Sequence, residues 1–364
     1  MKIKEIIHQL EQLAPPQLQE SYDNANLIVG TGNKKFKKAL ICLDSTEEVI
    51  DEAIALGCNL VIAHHPIVFS GLKKFNGSNY IERVIIKAIK NDIAIYAIHT
   101  NLDNVFKGVN HKIAEKLGLK KLQILSPKRH QLRKLVFYAP IKNTAEIRNA
   151  VFEAGAGEIG NYSACSFNLT GKGTFKANDK AKPFVGEKGE IHEEQEDRIE
   201  VVYPVFKESA IIENLIAKHP YEEVAYDIYD IENKWNQVGS GMIGELPEAM
   251  DSKLFLKAIK KRMSVEQIRY TEIIKDKVQR IAVCGGSGSF LLEDAIRQKA
   301  DVFITADFKY HQFFDADKRI MIADIGHYES EQFTGELIQE YLQEKIPNFA
   351  NYLTSKRTNP INYI

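Results

Sequence analysis

The stretch Leu60-Val-Ile-Ala-His-His-Pro66 decides the fold of this 364-residue chain. Its apolar run reads as a short buried strand of the kind found in parallel sheets. The proline then ends it, so both histidines stand where the strand gives way to its loop. Neighbouring strand side chains point to opposite sides, so His64 and His65 do not readily serve one ion. They could serve two ions lying side by side, with carboxylates from elsewhere joining them.

On either side of this stretch, apolar runs alternate with helical periodicity. Lys38–Leu43 reads as a strand, Thr46–Leu56 as a helix, Asn59–Ala63 as a strand and Tyr80–Lys90 as a helix. Ile93–Ile98 follows as a strand and Val109–Leu117 as a helix. That alternation predicts a largely parallel α/β sheet. The texture returns near the C-terminus, with strands at 280–284, 302–305 and 319–323 and helices at 290–298 and 329–343. A gapless shift sets Lys38-Ala-Leu-Ile-Cys42 against Arg280-Ile-Ala-Val-Cys284. The same register pairs Asp51-Glu-Ala-Ile54 with Glu293-Asp-Ala-Ile296, and Leu60-Val-Ile62 with Val302-Phe-Ile304. Three matches in one register argue for two related halves, 1–128 and 233–364, that build one site between them.

Residues 129–232 differ in character. Lys134–Tyr138, Ile199–Tyr203 and Val224–Tyr229 read as strands, and Thr144–Ala154 and Ser209–Lys218 as helices. A Gly-rich turn and further strands follow through Phe167, and Gly171–Glu196, rich in Gly, Lys and Glu, reads as an exposed loop or long hairpin. The order predicts a ferredoxin-like α+β module. As an insertion, it should leave the two halves able to pack without it. The expected class is thus α/β, two related halves forming one metal-binding domain with an inserted α+β domain.

Composition narrows the function classes. Forty-eight basic against 49 acidic residues give a formal charge of −1, which supplies no general pull toward nucleic acid or an anionic membrane. The run Lys34-Lys35-Phe-Lys37-Lys38 reads as a solvated rim before a strand. Cys42, Cys58, Cys165 and Cys284 show no CxxC spacing, which fits a reducing, cytoplasmic setting. The N-terminal Met1–Leu10 pattern is an amphipathic helix without the apolar core of a signal peptide. No run reaches the length of a membrane span.

Histidine and carboxylate recur at strand ends. His99 and Asp103 follow the third strand, and His327 and Glu331 follow a C-terminal one, both as His-x-x-x-acid pairs. In a helical turn that spacing puts both side chains on one face. Ligands of open α/β sheets bind beyond the carboxyl ends of the strands. The candidate set is His64, His65, Asp103, His327 and Glu331, with His99 adjacent. Imidazole and carboxylate together suit zinc, iron or manganese and do not choose among them. Two histidines on separate ions, with a carboxylate to join them, describe a dinuclear divalent-metal centre that would activate water. His111, His130 and His311 read as ordinary structural histidines.

With these residues in place, the chain resembles the NIF-three-like dinuclear-metal-centre family, whose bacterial members are named GTP cyclohydrolase 1 type 2 homologues. The match rests on Ser21-Tyr-Asp-Asn24, Ala63-His-His-Pro66, Ile98-His-Thr-Asn-Leu-Asp103 and Gly285-Gly-Ser-Gly288. Thr305-Ala-Asp307, Gly326-His-Tyr-Glu-Ser-Glu331 and Thr358-Asn-Pro-Ile361 complete it. The resemblance implies that the five residues are metal ligands, with Glu331 bridging, and that His99 handles protons or supports a ligand. It also implies a GTP-cyclohydrolase label, a small-molecule substrate of nucleotide type and a homohexamer. Gly155–Phe167 and His219-Pro-Tyr-Glu-Glu-Val-Ala225 resemble the PII/CutA-like module of longer members. His219 there reads as a helix-to-strand turn rather than a ligand.

Two signals stay open at this level. Gly285-Gly-Ser-Gly-Ser289 is either a phosphate-holding turn or simply a tight one. Tyr22-Asp-Asn24 either reaches the site or shapes a turn. The reading that follows is metal-dependent hydrolysis; the rival is a non-enzymatic, metal-dependent scaffold or regulatory protein.

Overall fold

The computed structural model describes residues 1–364. They divide into two compact units, Met1–Pro127 with Gln237–Ile364, and Lys128–Asn236. No helix is long and apolar enough to cross a membrane.

The chain opens with α1 (Ile3–Leu13), β1 (Asn26–Val29), β2 (Ala39–Cys42), α2 (Glu47–Leu56), β3 (Leu60–Ala63) and α3 (Tyr80–Lys90). It continues through β4 (Ala94–Ala97), the single turn α4 (Thr100–Asn104), α5 (Val109–Lys116) and β5 (Lys120–Pro127). Local chemistry sets the boundaries. The Thr46 side chain accepts from the Val49 amide to start α2, and Gly57 ends it at φ +68°. Asn79 caps α3 in the same way. Every residue of β2, β3 and β4 is buried, as expected of parallel strands covered on both faces.

The second unit holds β6 (Leu132–Pro140), α6 (Thr144–Glu153), β7 (Phe167–Lys176), β8 (Ile191–Pro204), α7 (Glu208–Lys218) and β9 (Tyr226–Asp230). Its sheet runs β7-β8-β6-β9 with every pair antiparallel. Alternate residues Leu135, Phe137, Ile199 and Val201 pack on Ile147, Val151, Ile211 and Leu215 of the two helices. The Gly171–Glu196 region is the far end of a long β7–β8 hairpin, paired out to Lys176 and Ile191.

The chain then returns through β10 (Gly239–Asp251), α8 (Ser252–Arg262), β11 (Arg269–Tyr270), β12 (Lys277–Ser287), α9 (Leu292–Arg297) and β13 (Val302–Ala306). It ends with β14 (Met321–Asp324), the single turn α10 (His327–Glu331), α11 (Thr334–Lys345) and β15 (Asn351–Leu353). The expected helix 329–343 is therefore two helices, broken at Gln332–Phe333.

The first unit has two sheets, ordered β1-β4-β3-β2-β15 and β11-β14-β13-β12-β10-β5. Four strands run parallel in the first sheet, β2, β3, β4 and β15, and three in the second, β12, β13 and β14, each set flanked by an antiparallel edge strand, β1 on β4 and β11 on β14. Each sheet also takes a strand from the other end of the chain. C-terminal β15 pairs with β2, and N-terminal β5 pairs with β10. In both sheets the strand farthest along the series, β4 or β14, ends in a single helical turn, α4 or α10. These two turns carry Asp103 and the His327–Glu331 pair.

Candidate metal centre

The apolar wall of β3 brings the chain to the sheet edge still paired. His64 N–H and His65 N–H donate to the Cys42 and Leu43 carbonyls at 3.2 and 3.0 Å. β3 itself ends at Ala63, so the two rings do not point to opposite sides as strand alternation predicts. They lie side by side, with centroids 4.9 Å apart, while their nearest carboxylates differ. His64 is wholly buried, with Nε2 3.7 Å from Asp103 Oδ1 and 3.9 Å from Glu331 Oε1. His65 Nε2 lies 3.1 Å from the other Glu331 oxygen, Oε2, and His327 Nε2 lies 3.2 Å from that same atom. Glu331 therefore turns one oxygen to His64 and Asp103 and the other to His65 and His327.

Three groups of side chains with ligand atoms mutually within 4.8 Å result: His64, Asp103 and Glu331; His65, His327 and Glu331; and His64, His65 and His99. All six sequence-selected residues meet here. His111 instead packs on Phe106, and His311 sits among Tyr310 and Phe314. His219 accepts from the Tyr221 amide and donates to the Tyr138 carbonyl, as a turn-forming residue does.

The imidazoles are oriented from behind. Nδ1–H donates to the Ile98 carbonyl in His64 (2.8 Å) and to Asp44 in His65 (2.7 Å). It donates to Asp23 in His99 (2.8 Å) and to Asp307 in His327 (2.6 Å). Such partners fix the tautomer, so each Nε2 is left free to face the cluster. Asp44 is held in turn by the Thr358 hydroxyl at 2.5 Å, which explains the C-terminal Thr-Asn-Pro-Ile segment. Asp23 also accepts from the Thr100 amide at 3.0 Å, so Tyr22-Asp-Asn24 reaches the site through Asp23. Sequence reasoning gave no role to Asp44 or Asp307. The available signal was position: each is a carboxylate just past a parallel strand, Asp44 after β2 of the first sheet and Asp307 after β13 of the second.

Charge follows this wiring. Burial pushes His64 down to about 4, so it is neutral. For His65 and His327 burial also works downward, but Asp44, Asp307 and Glu331 outweigh it and lift them to about 10 and 11. Burial would raise Glu331, yet its close contacts with His327 and His65 hold it well below the usual carboxylate range. Burial, then the Glu331 charge, pushes Asp103 well above that range. The cluster thus pulls in positive charge where Nε2 atoms converge on Glu331.

The donor set fits metal. His64 Nε2 and Asp103 Oδ1 are both buried and lack any hydrogen-bond partner, although they face each other. Such orphans cost roughly 1–3 kcal/mol each unless something fills the gap. Their separation is close to that of two ligands each about 2.0–2.2 Å from a shared ion. Gly286 completes the cradle: at φ +59°, a Cβ there would lie 2.5 Å from Glu331 Oε1 and 3.3 Å from His327 Nε2. Its amide donates to Ser330 Oγ at 2.9 Å, and its carbonyl accepts from Thr305 at 3.1 Å. The Gly-rich turn is therefore spent on close approach to the cluster.

Fold and site together define a mixed α/β protein with a His/Glu cluster able to hold metal. The chain belongs to the Duf34/NIF3 family (NGG1p interacting factor 3), whose family profile matches residues 1–360. Among its relatives is the "GTP cyclohydrolase 1 type 2 homolog" of Halalkalibacterium halodurans, 38% identical over 99% of this chain and 98% of that protein. The protein of the same name from Bacillus subtilis is also 38% identical, over 99% and 98%. Among solved structures, a Bacillus cereus protein related to NIF3 superposes with a TM-score of 0.87 at 38% identity, covering 100% of this chain and 99% of that one.

Proposed function

We propose that the protein binds two divalent ions and is a metal-dependent hydrolase acting on a small, nucleotide-type substrate. His64 and Asp103 would hold one ion, His65 and His327 the other, with Glu331 bridging; zinc, iron and manganese all suit this set. The observation that carries this reading is the split of Glu331, whose two oxygens face two different ligand pairs. Bound ions would supply Lewis acidity and acidify a water molecule.

The chain's own residues do the rest. Asp44 and Asp307 hold the His65 and His327 rings in place. Asp23 fixes the proton on His99 Nδ1, leaving His99 Nε2 to take or give a proton at the mouth of the cluster. Burial and the Glu331 charge favour the neutral form of Asp103, and a bound cation would favour its carboxylate. The names of the two relatives point to GTP, and ring opening of a purine does require water activated at carbon.

Three further readings belong with this proposal. The two sheets derive from related halves, as their repeated strand order supports. Residues 129–232 form a PII/CutA-like insertion, which the βαββαβ order supports. The protein works in the cytoplasm as a homohexamer, as the family resemblance implies.

The test uses metal-loaded protein and its Glu331→Gln and His65→Ala variants against nucleotides, cyclic amides and phosphoesters. Turnover by the wild type, lost in both folded variants, is expected. No turnover on any substrate, with metal-dependent capture of a partner instead, would favour the scaffold reading and overturn this one.

A further inference from the structure

The second unit carries a cavity with its own chemistry. Strand alternation commits Leu135, Phe137, Ile199 and Val201 to the helix-covered face of its sheet. Tyr138 and Glu196, one step out of phase, stand on the opposite face. There the end of the β7–β8 hairpin and the turn after α7 enclose about 420 Å³. The turn is tethered to the hairpin loop, because Glu222 accepts from the Lys182 amide at 2.7 Å.

The walls are aromatic and the charges are of one sign. Phe175, Phe184 and Tyr221 line the cavity, with ring centroids 6.4 Å apart for Phe175–Tyr221 and 6.1 Å for Phe184–Tyr221. Glu196, Glu222 and Glu223 line it too, and no lysine or arginine does. Two nearby cations are engaged, Arg198 with Glu200 and Lys142 over the Phe184 ring, and Lys176 and Lys182 adjoin the lining without forming part of it. The Tyr221 hydroxyl is buried and lies beside Glu196. Burial, then Glu196, pushes its phenol up, so it remains a neutral donor.

Aromatic faces attract cations through the ring quadrupole, and carboxylates at the rim add net attraction. The same carboxylates repel a phosphate. A cavity of this size suits a metabolite rather than a bare ion. We propose that this cavity binds a small organic cation, an ammonium group carried on an aromatic or alkyl body, in the cage of Phe175, Phe184 and Tyr221. Glu196, beside the Tyr221 hydroxyl, faces the charge. The cage shares no residue with the metal cluster, so occupancy does not depend on the chemistry there.

Calorimetric titration of the full-length protein tests this with three probes: benzyltrimethylammonium, benzyl alcohol and ATP. Saturable binding of the ammonium at millimolar concentration is expected, with benzyl alcohol and ATP at least tenfold weaker. Phe184→Ala and Glu196→Gln should each weaken the ammonium by about tenfold, with circular dichroism unchanged. Phe184 is half exposed on the loop, so its loss leaves the sheet core intact. Glu331→Gln should bind the ammonium as the wild type does. No saturation with the ammonium, equal binding of benzyl alcohol, or preferential binding of ATP would each overturn the proposal. So would binding that survives both cage variants.

Discussion

Gly286→Ala probes the metal cradle at one atom. Gly286 sits at φ +59°, and an L side chain there costs about 1–2 kcal/mol whatever the surrounding space. The added Cβ also meets Glu331 Oε1 at 2.5 Å. Glu331 is buried and pinned by His65 and His327 through Oε2, so the clash is relieved by turning Oε1 away from His64 and Asp103. The variant should keep the ion between His65 and His327 and lose the one at His64. Metal analysis after dialysis should therefore fall from two ions per chain to one. Gly57→Ala supplies the control. Gly57 has φ +68° with nothing within 4 Å of an added Cβ, so it carries the same strain and no clash. It should destabilise by about 1–2 kcal/mol and retain both ions. Two ions in Gly286→Ala, or ion loss in Gly57→Ala, would refute the reasoning.

Other expectations follow from the same wiring. Asp307→Asn and Asp44→Asn weaken the hold on the His327 and His65 rings and should each cost about 10–100-fold in metal affinity, measured by chelator competition. Replacing residues 128–236 with Asn-Gly should leave a folded protein that still binds both ions, because Pro127 of β5 already pairs with Gly239 of β10. An insoluble or metal-free product would contradict the insertion reading. His219 is neutral in the fold, with Nδ1 accepting from the Tyr221 amide, and burial lowers its pKa from 6.5. The unfolded chain therefore takes up a proton first on acidification. This contribution is whole above about pH 6.5 and is lost as pH falls through the folded value. Hydrogen exchange at the Tyr221 amide, corrected for its intrinsic rate, should accelerate below pH 6.5 and lose that dependence in His219→Gln.

Much of the site was legible because its signals are local. An apolar run stopped by proline puts His64-His65 at a strand end, and an i, i+4 spacing puts His327 and Glu331 on one face of a turn. The supporting carboxylates were less visible. Asp44 and Asp307 look like ordinary loop residues until strand order brings them behind His65 and His327. The β15–β2 and β5–β10 pairings were hidden for another reason. Three residues of β15 carry no periodicity, and their partner lies more than 300 positions away. The break between α10 and α11 escaped notice because residues on both sides keep a helical pattern.

The central claim is that Glu331 joins two ions. Anomalous diffraction from crystals of the metal-loaded protein tests it most directly. The account predicts two peaks about 3.5–4 Å apart, one beside His64 and Asp103 and one beside His65 and His327, with Glu331 touching both. A single peak, or a pair in which Glu331 contacts only one ion, would contradict it.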